Sequence, residues 1–160
     1  MRTFSALVAA LAGVLVTGCG SAPSPAAPSS DPTPLVSNES PRDTNRIRIV
    51  IGETELTGRL FDNSTARDLK ALLPVTLNFA DLNGVEKSAP LPRKLAVDGM
   101  PAGDDPQTGD LGYWSPDGNL VLYYGDVGYW TGISRIGEID GYIPAALRET
   151  GDFSALVESS

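Results

Sequence analysis

The chain has 160 residues, 12 basic against 20 acidic for a formal net charge of −8, one cysteine and no histidine. Without histidine, Ser-His-Asp and Cys-His catalysis and histidine zinc sites are excluded, and a lone cysteine has no partner for an intrachain disulfide. The acidic balance, with no basic cluster, argues against nucleic acid as a partner and suits solubility outside a cell.

Met1-Arg2 is a short cationic start, and residues 4–16 are an apolar, small-residue run of signal-peptide length, too short to span a bilayer. Val16-Thr17-Gly18-Cys19 then resembles the bacterial lipobox, in which an apolar residue and two small ones precede a cysteine that is diacylated on sulfur. The resemblance implies cleavage after Gly18 and a lipidated Cys19 as the mature N-terminus, anchored by two or three acyl chains where one would bind only reversibly. The next stretch is rich in Ser, Ala and Pro, with prolines at 23, 25, 28, 32 and 34, so it favours extended geometry and has too little apolar surface to fold. Three segments are expected: a signal peptide over 1–18, a lipidated and disordered tether over 19–45, and one folded domain over 46–160.

Within that domain, Ile47, Ile49 and Ile51 alternate along a strand, Gly52-Glu53 forms a turn, and Leu56 and Leu60 continue the pattern, which predicts a hairpin. "NSTARDLKALLP" predicts a helix, with Thr65 and Asp68 at capping-box spacing, Ala66, Leu69, Leu72 and Leu73 on one stripe, and Pro74 as the stop. Val75, Leu77 and Phe79 alternate before the turn Asn83-Gly84, and "VEKSAPLP" follows as a strand whose Pro90 and Pro92 suit an edge or a strand end. Residues 98–110 read as loop. Two strands flank Ser115-Pro116-Asp117-Gly118, the second alternating Leu120, Leu122 and Tyr124 against Val121 and Tyr123. "GISRIGEI" predicts a strand broken by Gly137, "IPAALRETG" a short helix-like turn, and "FSALVE" a closing strand. Seven or eight short strands with one principal helix predict a mainly β fold, a small closed antiparallel barrel that leaves no exposed strand edge.

The order "ARDLKALLPVTLNFAD", "LPRKL", "GDLGYWSPDGNLVLYYGD", "GISRIGEID" and "GDFSALVE" resembles the bacterial cyclophilin-like domain, a minimal version of the cyclophilin barrel, over nearly all of residues 47–157. The resemblance implies a closed antiparallel barrel with a helix capping one end, and a tie to prolyl isomerisation. That reaction needs no nucleophile: its barrier of about 20 kcal/mol is rotation about an amide that loses resonance. A site needs an apolar pocket for the proline ring and a donor, an arginine in cyclophilins, aimed at the proline nitrogen. In the matching run Trp114 stands where the cyclophilin histidine would be and Ser115 where the arginine would be, and only Gly125-Asp126 resembles the far end. Arg93 or Arg135 is left to supply a guanidinium from another strand.

Asp104, Asp105 and Asp110 read as a solvated acidic turn, since no EF-hand pattern surrounds them, and neither a metal nor any other cofactor is expected. The aromatic set Tyr113, Trp114, Tyr123, Tyr124, Tyr129 and Trp130 is concentrated in one segment, and outward members of it favour apolar or proline-rich ligands. The candidate ligand-binding residues are therefore Arg93, Tyr113, Trp114, Tyr124, Tyr129 and Trp130, with Cys19 as the lipidation site. The expected protein is a lipid-anchored extracytoplasmic binding module for a peptide or small apolar molecule, with peptidyl-prolyl isomerase and structural envelope lipoprotein as the competing readings.

Overall fold

Alternation of the kind seen in "RIRIVI" buries one face and wets the other, and this is how the domain begins. The computed structural model describes residues 44–141, 143 and 148–160. Strand β1, Arg46–Ile51, pairs antiparallel with β2, Thr54–Leu60, placing Ile49 opposite Leu56. Ile47, Ile49, Leu56 and Leu60 are buried, while Arg48 on the wet face reaches Glu158 and Glu55.

Helix α1, Ser64–Lys70, is capped two residues earlier than the Thr65–Asp68 capping-box spacing predicts. Asn63 is the cap: its extended backbone lets Oδ1 accept from the Ala66 amide at 2.8 Å. Thr65 and Asp68 are used elsewhere, since Thr65 Oγ1 donates to the Ala96 carbonyl at 2.7 Å and Asp68 accepts from the Ala96 amide at 2.8 Å. Both residues thus tie the helix to the passing segment 94–98. The helix closes at Lys70, before Pro74, with Leu72 and Leu73 bonded in tighter i to i−3 turns. Ala66 and Leu69 are buried, and Leu72 and Leu73 are partly buried against the same core.

Strand β3, Val75–Leu82, returns through β4, Glu86–Pro90, by a turn in which Asn83 and Gly84 both take positive φ. Pro90 is the last residue of its strand, where a missing N–H costs least. Lys87 on β4 is almost fully buried, with its Nζ 2.7 Å from Asp81 Oδ1, bonded to the Thr150 carbonyl, and 5.5 Å from the Tyr124 ring centroid.

Residues 98–110 are mainly loop, as the composition predicts, except that β5, Gly103–Asp104, pairs with β8, Trp130–Thr131. Strands β6, Asp110–Trp114, and β7, Asn119–Tyr123, form the expected hairpin. Strand β9, Ile133–Ile139, runs through Gly137 without a break. A bulge takes the place of the predicted interruption: β6 pairs Leu111 with Gly137 but Gly112 with Arg135, leaving Ile136 without a partner there. The extra residue lets Ile136 and Ile139, three apart, both enter the core. Strand β10, Phe153–Ser159, lies between β1 and β3. The order β1-β10-β3-β4-β7-β6-β9-β2 closes an eight-stranded antiparallel barrel. The leader, Cys19 and most of the tether, and residues 144–147 of the helix-like turn expected at "IPAALRETG", lie outside the described residues.

The barrel encloses the main core, including Leu69, Phe79, Leu111, Tyr113, Leu120 and Val157. A second cluster forms on the opposite face of β6, β7 and β9, where Val121, Tyr123 and Ile133 pack with Trp114 and Val127. Strand β7 is apolar on both faces, so both must be covered. One is covered by the barrel interior, and the other carries the site.

Candidate functional site

A cavity of about 460 Å³ lies over this second cluster, within the size range of small-molecule sites. Register builds its base: Glu86 on β4 is opposite Tyr123 on β7, and Ser88 is opposite Val121. Trp114 and Ile133 come from β6 and β9, and Leu82, Asn83 and Val85 from the tip of the β3–β4 hairpin. Asp126, Val127 and Trp130 join from the segment after β7.

Both indoles are oriented through their nitrogens. Trp114 Nε1 donates to Asp117 Oδ2 at 3.0 Å, and Trp130 Nε1 donates to the Val127 carbonyl at 2.9 Å. Trp130 is 59% exposed, held by β8 while its ring stays accessible. Beneath it the strands approach so closely that a Cβ at Gly103 would lie 2.3 Å from the Trp130 carbonyl oxygen, so only glycine fits. Ser115 donates from Oγ to the Gly132 carbonyl at 3.0 Å.

The charged side chains that line the cavity are Glu86, Asp117 and Asp126, all acidic. Burial pushes the Glu86 carboxyl above its usual range. Burial, then the nearby charges of Glu86, Asp110 and Asp104, pushes the Tyr123 phenol well above its ordinary value, so its hydroxyl stays protonated. No group of three or more His, Cys, Asp or Glu among the described residues could hold a metal ion.

Of the residues singled out from sequence, the cavity brings together Trp114 and Trp130. Tyr113 is inside the barrel, 1% exposed, with its hydroxyl accepting from the Leu95 amide at 2.9 Å. Tyr124 also packs in the main core and donates its hydroxyl to Asp81, and burial followed by that bond pushes its phenol up to about 12. Tyr129 is exposed and does not line the cavity. Arg93 lies against α1, its guanidinium bidentate on Asp68 at 2.6 and 2.8 Å. Arg135 is bidentate on Asp110 at 2.7 and 3.1 Å, with its guanidinium carbon 5.9 Å from the Phe61 ring centroid. Sequence reasoning missed Glu86 and Tyr123 as site residues. The available signal was the doubly apolar β7, which requires either a cover or a site on its second face.

Residues 49–158 match the Cyclophilin-like family over more than half of the chain. The chain belongs to the Cyclophilin-like family. The barrel is also similar to the solution structure of a hypothetical protein from Archaeoglobus fulgidus, with a TM-score of 0.59 and 20% identity over 76% of this chain and 99% of that one. At that identity the likeness shows a common fold, and fold alone does not carry activity. No curated protein matches the chain. What this family member can do chemically must therefore be read from its own cavity.

The Arg93–Asp68 pair has a consequence for stability. The Arg93 hydrogen bond, followed by that of the Ala96 amide, lowers the Asp68 carboxyl to about 2. A depressed carboxyl contributes stability that is present above its unfolded value of about 3.9 and is lost as pH falls through about 2. Urea midpoints should therefore fall between pH 4 and pH 2, and Asp68→Asn should reduce that slope while lowering the midpoint at neutral pH. The effect is modest, because Arg93 is half exposed and water screens the pair. An unchanged acid slope in Asp68→Asn would remove this pair from the account.

Proposed function

We propose that this Cyclophilin-like protein is a lipid-anchored, extracytoplasmic binding module that does no covalent chemistry and takes a peptide or small apolar ligand in the cavity over β7. The observation that carries the reading is the cavity itself: Trp114, Val121, Tyr123 and Trp130 supply apolar and aromatic surface on rigid strands, the composition that buries flat or aliphatic groups with little entropy loss. The V-T-G-C sequence ending at Cys19 supports the anchor, and the proline-rich stretch after it supports a spacer between lipid and barrel. Among the described residues no helix is long and apolar enough to cross a membrane.

Peptidyl-prolyl isomerisation is the competing reading, supported by membership of the family. It requires a donor at the proline nitrogen, and the two arginines considered for that role, Arg93 and Arg135, are each engaged with a carboxylate and do not line the cavity. Loss of one such donor typically lowers a rate by about 10² to 10³.

Titration with a capped Ala-Pro-Phe peptide and with benzyl alcohol, read by tryptophan fluorescence, should saturate for at least one probe, and Trp130→Phe should alter the signal. A peptide isomerisation assay should show no acceleration at micromolar protein. Turnover abolished by Arg93→Ala or Arg135→Ala in a folded protein would hand the assignment to the isomerase, and no saturable ligand would favour a structural envelope protein. For the anchor, intact mass should show an acylated Cys19, and Cys19→Ala should move the protein out of the detergent phase. An unmodified cysteine on a water-soluble protein would refute that part.

A further inference from the structure

We infer that Gly132 and Asp117 are positioning residues that hold the Trp114 and Trp130 rings as two preset walls of the cavity over β7, so that the cavity selects a ligand by the fixed placement of these rings. The inference rests on that cavity being the binding site. Trp114 belongs to β6 and Trp130 to β8, and these two strands share no ladder. A further connection must therefore fix one ring relative to the other.

Gly132 supplies that connection. It directly follows β8, and its N–H donates to the Ala102 carbonyl at 2.8 Å, next to the pairing of β8 with β5. Its carbonyl accepts from both the Ser115 amide and the Ser115 hydroxyl, each at 3.0 Å, which ties the same residue to the turn between β6 and β7. Its φ of +103° is a conformation that L side chains rarely adopt. An added Cβ would also lie 3.0 Å from Pro116 Cδ and 3.2 Å from Trp114 Cζ3. The backbone of residue 132 thus lies against the six-membered end of the Trp114 indole.

Asp117 holds the other end of that ring, where Trp114 Nε1 donates to its Oδ2 at 3.0 Å. The nitrogen and Cζ3 lie on opposite sides of the indole, so these two contacts together fix its tilt and its direction. Asp117 is itself an exposed member of the turn that Gly132 grips, and it acts on the ring as an acceptor. The Trp130 nitrogen is likewise spent inside the protein, on the Val127 carbonyl at 2.9 Å. With both N–H groups engaged, the rings meet a ligand through their faces and edges, which take apolar and aromatic groups. Walls set in advance spare the complex the entropy of ordering them.

Binding of benzyl alcohol and of acetyl-Ala-Pro-Phe-amide to the full chain is measured by calorimetry, alongside the near-ultraviolet circular dichroism of the tryptophans. Asp117→Ala should weaken a probe that binds the parent about fivefold, the worth of one hydrogen bond, and should reduce the tryptophan dichroism. Asp117→Asn keeps an acceptor oxygen and should preserve both. In Trp114→Phe, which has no indole N–H, adding Asp117→Ala should cause no further loss. Gly132→Ala should weaken the probe at least as much as Asp117→Ala. Ser115→Ala cuts one bond to the Gly132 carbonyl without placing a side chain at the positive φ, and should weaken the probe about threefold whether or not Gly132→Ala folds. A loss in Asp117→Asn as large as in Asp117→Ala would make the carboxylate a direct contact of the probe and overturn the positioning role. Parental affinity in both Asp117→Ala and Ser115→Ala would overturn it too, while leaving the cavity a binding site. Failure of both probes to bind the parent would overturn the binding module and this inference with it.

Discussion

Leu69→Ala is expected to lower the free energy of unfolding by about 2–5 kcal/mol, the range for truncating a buried leucine. Leu69 has 0% exposure and belongs to the main core, which it enters from α1. The helix is only seven residues long, too short to hold its form alone, so its docking depends on this side chain. Truncation leaves a void that the barrel cannot collapse to fill, because closure holds the strands apart. Arg67 on the same helix is exposed and supplies the control, with Arg67→Ala expected within about 0.5 kcal/mol. Urea unfolding of the two variants measures the difference. Equal and small losses would show that α1 rests on the barrel without packing into it.

Gly112→Ala is expected to cost about 1–3 kcal/mol and, in addition, to spoil the cavity. A Cβ at residue 112 would lie 2.5 Å from Tyr123 Cε2 and 3.2 Å from its hydroxyl, so the ring must leave the position it occupies across the strand. The ring is almost fully buried, and the open side available to it is the cavity it lines. The substitution should therefore abolish saturable quenching by any cavity ligand while the barrel still folds. Gly151→Ala, where an added Cβ meets nothing within 4 Å, should change neither property. Thermal melting and the fluorescence titration together decide the matter. Parental stability with unchanged binding would mean that Tyr123 shifts freely and is not a fixed wall of the site.

The periodicity of the chain alone was enough for most elements. The alternations at Ile47–Ile49–Ile51, Val75–Leu77–Phe79 and Leu120–Leu122–Tyr124 became β1, β3 and β7, and the Asn83-Gly84 turn stands where two strands meet. These features are local: strand alternation and turn chemistry act over two to four residues and are legible wherever one face must be dry. Capping and the bulge were misplaced for a complementary reason. Asn63, Thr65 and Asp68 are all able to cap a helix, and the choice among them was made by the carbonyl of Ala96 and the guanidinium of Arg93, about thirty residues away.

The site depended most on tertiary structure. Alternation shows that Val121 and Tyr123 oppose Leu120, Leu122 and Tyr124, but both sets are apolar, and only barrel closure decides which of them faces inward. The same closure sent Tyr113 and Tyr124 into the core, left Trp114 and Trp130 over the outer cluster, and set Glu86 beside Tyr123 through a pairing of β4 with β7. What the sequence by itself determined is thus the strands of the barrel, the principal helix and an acidic, histidine-free chemistry. What only the tertiary structure decided is which aromatic rings and which carboxylate share a cavity, because long-range strand register is settled by the whole barrel closing and by no short segment within it.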